Sequence, residues 1–299
     1  MPRLPLRAVA ALTVFVCVSA PAAGVDQGVA VYAAGDIARC AYPDPAYSGA
    51  AATAATVAAG LAQDPRAVVL ALGDLTYPVG AAKEFSDCYA PTWGRFKDRT
   101  WPAPGNHEYY TPGATPYFAW WGARAGRGYY SFELGTWHII SLDSNLAPAR
   151  HAAQLDWLRA DLARHPAHCT LAYWHHPLYS SGGHGSVPAM RDAWKLLYDA
   201  GAELVLSGHD HDYERFAPQD ADGRLDPARG IRQFVVGTGG AYPTPFLLTV
   251  AHSEVRDSNR TGVLRLRLYA GGYGWEFVES TRVSTFGVAP PDRGSAACH

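Results

Sequence analysis

The sequence contains few charged residues and no excess of positive charge. Asp, Glu, Lys and Arg make up 17% of the 299 residues, and the formal net charge is −2 at pH 7. Proteins that bind nucleic acids neutralise the phosphates with clustered Lys and Arg, so this composition argues against a nucleic acid duplex as a partner. The sequence also shows no internal repeat and no long linker, and we therefore expect a single domain over residues 24–299.

Long hydrophobic runs are scarce as well. The run near the N-terminus, residues 8–18, is too short for a permanent membrane anchor, which needs about 20 apolar residues. Arg3 and Arg7 precede this run, and Ala20, Ala22 and Ala23 follow it. A basic region, an apolar region and small residues in this order are typical of a cleavable signal peptide. We therefore expect residues 1–23 to be removed and the protein to be secreted, with no membrane contact afterwards.

Short apolar runs alternate with segments of helical periodicity along the rest of the chain. The predicted strands cover residues 29–33, 68–72, 138–142, 170–174, 203–206, 233–236, 263–269 and 275–278. The predicted helices cover residues 50–63, 151–164 and 187–200. Such alternation predicts an α/β fold in which the early strands are buried on both faces.

Residues of the types that bind metal ions stand at the ends of several apolar runs. They are Asp36, Asp74, the pair His175-His176, the segment His209-Asp210-His211 and, after the segment 101–104, Asn106-His107-Glu108. In open α/β sheets, ligands bind outside the carboxyl ends of the strands. We therefore expect these five groups to meet at one site.

The groups differ in how strongly each one alone indicates a site. His209 and His211 stand at alternate positions of an extended turn, so both imidazoles face the same side. Asp74 and Tyr77 are close enough along the chain to reach one cation. Asp36, read alone, fits an ordinary turn after a strand better than a ligand. Only the combination predicts a metal site with some specificity.

Taken in order, the groups Asp, Gly-Asp-x-x-Tyr, Gly-Asn-His-Glu, His and Gly-His-x-His resemble the motifs of the metallophosphoesterase superfamily. Most of its members begin with Asp-x-His, whereas this chain has Asp36-Ile37-Ala38, and Ala38 cannot bind a metal ion. In the purple acid phosphatase branch a tyrosine, here Tyr77, takes the place of that histidine. The chain resembles this branch over about residues 29–269.

This resemblance implies a fold and a domain organisation. The fold is α/β, a four-layer αββα sandwich of two mixed sheets. The additional N-terminal β-sandwich domain of the larger plant-type members is expected to be absent, because the first strand follows the signal segment directly.

The resemblance also implies two metal ions and the residues that hold them. The first ion would be held by Asp36, Tyr77 and His211, the second by Asn106, His175 and His209, and both by a bridging Asp74. Phenolate and carboxylate ligands suit Fe(III) at the Tyr77 site, and the nitrogen and oxygen ligands of the second site suit Zn, Mn or Fe(II). His176 is the alternative to His175 as a ligand, and the resemblance favours His175.

Three further residues receive roles from the resemblance. His107 is expected to protonate the departing alkoxide or to stabilise the phosphoryl oxygens, and Glu108 to orient the His107 ring. His184 is expected to contact the substrate, although a solvated loop histidine explains it about as well.

The function implied is hydrolysis of a small-molecule phosphomonoester by a metal-bound hydroxide. A phosphodiesterase with the same ligands is the nearest alternative, although such enzymes usually carry Asp-x-His. An exported metal-binding module without catalysis is a further alternative.

Cysteine is also scarce, and none of the cysteines has the CxxC spacing of a zinc ribbon or a redox centre. Removal of the signal segment leaves Cys40, Cys88, Cys169 and Cys298. An even number in an exported chain predicts two disulfides, for which three pairings are open. We favour Cys40 with Cys88, because both are expected in loops near the site.

Overall fold

A computed structural model of the protein describes residues 1–2, 27–282 and 291–299, without the side chain of Arg282. The predicted signal peptide lies, apart from its first two residues, outside the described residues, so it stays a prediction. Within the part of the chain that is described, no helix combines the length and the apolar character needed to cross a membrane.

Strands and short helices alternate along the described chain. The strands are β1 (Val29–Ala34), β2 (Ala38–Arg39), β3 (Val68–Leu72), β4 (Thr76–Tyr77), β5 (Thr100–Ala103), β6 (Tyr130–Leu134), β7 (Trp137–Ser141), β8 (Cys169–Tyr173), β9 (Leu204–Ser207), β10 (Tyr213–Phe216), β11 (Arg232–Val236), β12 (Ser253–Asp257), β13 (Arg260–Tyr269), β14 (Gly272–Arg282) and β15 (Arg293–Ala297). The α-helices are α1 (Gly49–Gln63), α2 (Ala82–Glu84), α3 (Asn106–Tyr110), α4 (Thr115–Trp121), α5 (Pro148–Arg164) and α6 (Arg191–Asp199). A π-helical turn, Phe85–Tyr89, extends α2, and 3-10 turns lie at Pro45–Tyr47, Trp93–Arg99, Pro112–Ala114, Gly122–Ala125 and Pro188–Met190.

The strands form two large mixed sheets. The six-stranded sheet has the order β15-β14-β13-β1-β3-β5, in which β1, β3 and β5 are parallel. The seven-stranded sheet has the order β12-β10-β11-β9-β8-β7-β6, in which β11, β9, β8 and β7 are parallel. Strands β2 and β4 form a small parallel pair. The carboxyl ends of the parallel strands therefore gather at one edge of each sheet.

The two large sheets face each other across a shared core. On β7 and β8, Ile139 and Leu171 belong to the cluster that also contains Val31 of β1, whereas their neighbours Ile140 and Ala172 belong to a second cluster. Successive side chains of a strand point to opposite faces, so both faces of the seven-stranded sheet are buried. Burial of each large side chain contributes roughly 1.5–3 kcal/mol.

Helices cover the outer faces of both sheets. Helix α1 begins after Ser48, whose hydroxyl accepts a hydrogen bond from the Ala51 N–H at 3.1 Å, and it packs against β13 and β14. Helices α5 and α6 contribute Leu158 and Trp194 to the core beyond the seven-stranded sheet. The order of layers is thus helix, sheet, sheet, helix, which confirms the predicted fold class.

The predicted elements agree with the structure except at some boundaries. The helix predicted over 187–200 begins only at Arg191, because the segment Pro188–Met190 forms a 3-10 turn. Strand β5 was not predicted, since it contains Pro102, which lacks the N–H that a sheet needs. The polar strands β6, β10, β12 and β15 were also missed.

Both disulfides are formed. Cys40 is bonded to Cys88, as predicted, and Cys169 is bonded to Cys298. The first bond ties the loop after β2 to the π-helical turn, and the second ties the end of the chain to the start of β8.

Candidate metal centre

The groups predicted to form a site meet where the parallel strands end. Asp36 follows β1, and Asp74 follows β3 in the same sheet. His175 and His209 follow β8 and β9 of the facing sheet. The site therefore lies between the carboxyl ends of the two sheets, as the pattern of strand endings predicts.

The backbone at this edge adopts a conformation that most residues avoid. Asp36, Asp74 and His209 have φ angles of 60°, 50° and 73°. Left-handed φ values are uncommon for residues other than glycine, and they concentrate at functional sites. The preceding Gly73 has a φ of 87°, and a Cβ there would lie 2.6 Å from His175 Nδ1, so glycine lets the two sheets approach.

One group of atoms converges on the hydroxyl of Tyr77. The oxygen of this hydroxyl lies 2.8 Å from Asp36 Oδ1, 3.1 Å from Asp74 Oδ2 and 3.1 Å from His211 Nε2. His211 Nε2 is itself 3.3 Å from Asp36 Oδ1. The hydroxyl has a single proton, so it cannot donate to Asp36 and Asp74 at once.

A second group converges on His175 Nε2. This nitrogen lies 3.3 Å from Asp74 Oδ2, 3.1 Å from Asn106 Oδ1 and 3.3 Å from His209 Nδ1. Asp74 therefore takes part in both groups. The structure thus brings together all seven residues predicted to hold metal ions.

Hydrogen bonds at the far side of two rings determine which nitrogens face the site. His175 Nδ1 donates to the Leu72 carbonyl at 2.9 Å, and His211 Nδ1 donates to the Tyr242 carbonyl at 2.7 Å. The Nε2 atoms of both rings are therefore directed into the site, the arrangement usual for metal-binding histidines. The backbone N–H of His209 holds Asp36 through its other oxygen at 2.8 Å.

These atoms fit a pair of cations. Ligand atoms at about 2.0–2.2 Å from one ion lie about 3 Å from each other, and the spacings in both groups agree with this value. Carboxylate, phenol, amide and imidazole are all competent ligands. A cation would also be shared by the several ligand atoms that converge on the Tyr77 hydroxyl and on His175 Nε2.

The charges within the site also favour a bound cation. Burial raises the pKa of Tyr77, and Asp36 and Asp74 raise it further, well above its usual value. Burial would lower the pKa of His175, but the two carboxylates raise it to about 10. Without a cation the buried carboxylates thus oppose a phenolate, whereas a bound cation would favour one.

Glu108 lies elsewhere than predicted. Its buried carboxylate accepts hydrogen bonds from the backbone N–H groups of Gly105 at 2.7 Å, Asp74 at 3.0 Å and Leu75 at 2.8 Å. The expected contact with the His107 ring is not formed, because adjacent residues of a helix do not face each other. Glu108 instead fixes the loop that carries Asp74.

His107 is oriented by the backbone. Its Nδ1 lies 2.6 Å from the Pro78 carbonyl oxygen, and its Nε2 lies 3.8 Å from Asp74 Oδ2. Its backbone N–H donates to Asp74 Oδ1 at 2.8 Å. The ring packs against Tyr77 with 4.2 Å between centroids, so it lies beside the Tyr77 group.

His184 reaches the site from the loop after β8. Its ring centroid is 4.6 Å from that of His209 and 6.0 Å from that of His211. Asp210 Oδ1 accepts from the His184 backbone N–H at 2.7 Å and lies 3.1 Å from its Nδ1. Asp210 also accepts from Ser180, so this buried carboxylate holds the loop in place.

Sequence reasoning placed Asp210 among the clustered polar residues but gave it no role, and it did not consider Tyr242. Asp210 stands between His209 and His211, and its direction away from the ligands could have been expected from the alternation of an extended segment. No sequence signal marks Tyr242, whose carbonyl orients His211. His176, the alternative ligand, lies beside His175 and His209 but its Nδ1 contacts Ser144 Oγ at 2.8 Å.

Comparison with known proteins places the chain in a family. The model of the calcineurin-like phosphoesterase family matches residues 30–213, a segment that contains every residue predicted for the site. The chain is a calcineurin-like phosphoesterase.

Purple acid phosphatases are among the relatives of this phosphoesterase. It is 30% identical to purple acid phosphatase 15 of Arabidopsis thaliana over 213 residues. This alignment covers 58% of this chain and 40% of that protein. It is also 30% identical to purple acid phosphatase 22 of the same plant over 215 residues. That alignment covers 63% of this chain and 47% of the plant protein. The chain thus spans less than half the length of these curated relatives.

Two solved structures share the fold of this phosphoesterase. Purple acid phosphatase PPD1 from yellow lupin seeds matches with a TM-score of 0.67 at 19% identity, covering 91% of this chain and 54% of that chain. GAP50, described as the anchor in the inner membrane complex of Plasmodium, matches with a TM-score of 0.69 at 16% identity, covering 91% and 90%. At these identities the likeness extends to the fold alone.

Proposed function

We propose that this phosphoesterase is a dinuclear-metal phosphatase that hydrolyses phosphomonoesters. The observation that carries the proposal is the convergence of two sets of ligand atoms that share Asp74. In each set several ligand atoms converge on one hydroxyl or one ring nitrogen, and each set has the spacing expected around one ion. Tyr77, in place of the histidine usual elsewhere in the superfamily, favours the purple acid phosphatase type.

We assign seven residues to the metal ions. Asp36, Tyr77 and His211 would hold Fe(III), Asn106, His175 and His209 would hold Zn, Mn or Fe(II), and Asp74 would bridge. When bound, such a pair acts as a Lewis acid on phosphoryl oxygens and lowers the pKa of a coordinated water. The protein contributes the fixed positions of the ligands. Glu108 holds the loop of Asp74, and the backbone N–H groups of His209 and His107 hold the carboxylates of Asp36 and Asp74.

We assign proton transfer to His107. Because Nδ1 faces the Pro78 carbonyl, Nε2 is the nitrogen that remains for the substrate. A proton on Nε2 would pass to the departing alkoxide oxygen, the usual task of a general acid. His184, held through Asp210, would contact the phosphoryl group from the opposite side of the site.

Hydrolysis of model esters tests the proposal. Purified protein without residues 1–23 would be loaded with Fe and with Zn or Mn, and turnover of 4-nitrophenyl phosphate would be compared with that of bis(4-nitrophenyl) phosphate. We expect strong turnover of the monoester. Preference for the diester would instead identify a phosphodiesterase, which is the first alternative.

A non-catalytic module is the second alternative. GAP50, which has a similar fold, is described as an anchor. Metal binding by the wild-type protein without turnover of either ester would support that alternative. We favour catalysis, since the ligand set is complete and His107 stands beside it.

We also propose that the protein is exported after cleavage near residue 24, and that residues 24–299 form one domain. The basic, apolar and small-residue order of the N-terminus supports this, as do the two disulfides. N-terminal sequencing of protein recovered from the medium tests it. An intact Met1 in cell-retained protein would contradict it.

A further inference from the structure

Arg39 stands at the mouth of the candidate metal centre, and no described residue pairs with its charge. It is exposed at the end of β2, three residues after the predicted ligand Asp36. Among the described residues it forms no ion pair and no side-chain hydrogen bond. Its guanidinium instead lies over the ring of Tyr242, 5.1 Å from the centroid. An exposed cation over an aromatic face is held weakly and can turn to a ligand.

Two clefts meet at this stacked pair. The first, about 390 Å³, is lined by Arg39 and Tyr242 together with Tyr77, Pro78 and His107. The second, about 600 Å³, has Arg39 and Tyr242 in its wall and extends away from the centre towards Tyr47. A molecule whose phosphate lies at Tyr77 and His107 would therefore direct the rest of its structure past Arg39.

The charges around the clefts favour an anion at this position. Neither lining includes an Asp or Glu among the described residues. The nearest acidic ligands, Asp36 and Asp74, are fully buried behind Tyr77 and would be neutralised by the metal ions. Arg39 is thus an uncompensated positive charge beside the path of the leaving group.

We propose that Arg39 and Tyr242 form a subsite for the leaving group, which selects phosphomonoesters that carry a second anionic group, such as a carboxylate or a further phosphate. Arg39 binds the second anion, and the Tyr242 ring packs against the body of the leaving group. This inference rests on the proposed phosphatase function, because it places the ester phosphate at the metal centre.

A matched pair of esters tests the subsite. Phenyl phosphate and 4-carboxyphenyl phosphate have the same scissile bond and differ in one negative charge on the leaving group. We expect Arg39→Ala to lower kcat/KM for the carboxylated ester about fivefold more than for the plain ester, mainly through KM, as expected for an exposed ion pair. Arg39→Lys should retain part of the preference, and added salt should weaken it.

Arg159→Ala is the control, because Arg159 is an exposed arginine of α5 paired with Asp156 and remote from both clefts. This control should leave the ratio of the two kcat/KM values unchanged. An equal ratio in wild type and Arg39→Ala would overturn the subsite.

Binding of phosphonates separates this inference from the proposed function. Phenylphosphonate and 4-carboxyphenylphosphonate cannot be hydrolysed, and calorimetry on the metal-loaded protein measures both. Absence of turnover together with tighter, Arg39-dependent binding of the carboxylated compound would refute the phosphatase and retain the subsite. Equal binding of both compounds would refute the subsite whether or not the protein is an enzyme.

Discussion

Two clusters of histidine and carboxylate occur in this molecule, and they differ in how their atoms are satisfied. In the distal cluster, His138 Nδ1 lies 2.7 Å from Glu133 Oε1, and His138 Nε2 lies 2.9 Å from Asp161 Oδ2. Each ring nitrogen therefore has one carboxylate partner. At the metal centre, His175 Nε2 alone faces three ligand atoms at 3.1–3.3 Å.

The difference separates a hydrogen-bonded ion pair from a cation site. A protonated His138 satisfies both carboxylates of the distal cluster, so nothing further is required there. At the metal centre, Asp74 is shared between Tyr77 and His175, and more ligand atoms converge on each of these two groups than a single proton can bond. Proximity of His and Asp is therefore weak evidence for a metal ion, whereas the convergence of several ligand atoms on one ring nitrogen and one hydroxyl is stronger evidence.

Among the variants that test the difference between the two clusters, Asp74→Asn is expected to have the largest effect. Loss of the charge shared by both groups should release both ions and reduce turnover by more than the roughly 10–100-fold cost of losing a supporting residue. Elemental analysis after dialysis and an ester assay measure this. Asp161→Asn is the matched control and should leave the metal content unchanged. A loss of metal in Asp161→Asn would mean that the distal cluster also binds an ion.

Tyr77→Phe should remove the visible absorption of the Fe-loaded protein. A phenolate on Fe(III) absorbs visible light by charge transfer, and phenylalanine cannot supply this transition. Absorption spectra measure the effect, with Tyr269→Phe, a change outside the site, as the control. Colour that persists in Tyr77→Phe would exclude Tyr77 as the ligand of Fe(III).

His107→Ala should lower turnover by about 10²–10⁴-fold, the usual contribution of a general acid, while both ions stay bound. Its ring contributes no atom to either ligand group, so metal content and turnover should separate. If this variant instead lost its ions, His107 would belong to the metal site rather than to proton transfer.

The smallest effect is expected for the distal cluster, whose contribution to the free energy of unfolding should depend on pH. Burial lowers the pKa of His138, but Asp161 and Glu133 raise it above its usual value, while His138 lowers the pKa of Asp161 against the effect of burial. The His138 contribution is therefore complete below about pH 6.5 and is lost as the pH rises through the raised pKa. The Asp161 contribution is lost at the acid end, as the pH falls below about 4 towards the lowered pKa.

His138→Gln should thus cost about 1–3 kcal/mol near pH 5–6 and less near pH 9. Thermal unfolding at fixed metal concentration, compared with wild type at each pH, measures the difference. Arg164 and His165 also approach Asp161, at 3.8 and 3.3 Å, and both are present in the variant and in wild type, so the comparison isolates His138. If His138→Gln lowers the free energy of unfolding equally at both pH values, the His138 ring is neutral in the folded protein.

The fold could be predicted where buried runs are long and uniform. The segment 68–72 is buried on both faces and was predicted to the residue, because a parallel central strand consists of apolar residues only. Strand β15 could not be predicted, since Arg293–Ala297 is largely exposed and its pairing with β14 depends on distant residues.

The site could be predicted as far as ligand types follow strand ends. Asp36, Asp74 and His209 were found in this way, and the structure adds that their backbones are left-handed. The role predicted for Glu108 was wrong and none was predicted for Asp210, because both carboxylates form hydrogen bonds to loops whose conformation the sequence pattern does not specify. Arg39 and Tyr242 are far apart in sequence and meet only in the folded chain.

The bond between Cys40 and Cys88 connects this chemistry to the compartment in which the chain folds. Cys40 directly follows Arg39, whereas none of the predicted metal ligands is a cysteine. In a reducing cytosol the ligands would still be available, but strand β2, which presents Arg39, would lose its covalent tether and keep only its pairing with β4. Material produced there should therefore hydrolyse simple esters and discriminate poorly between leaving groups, so the choice of expression host decides which property an assay can detect.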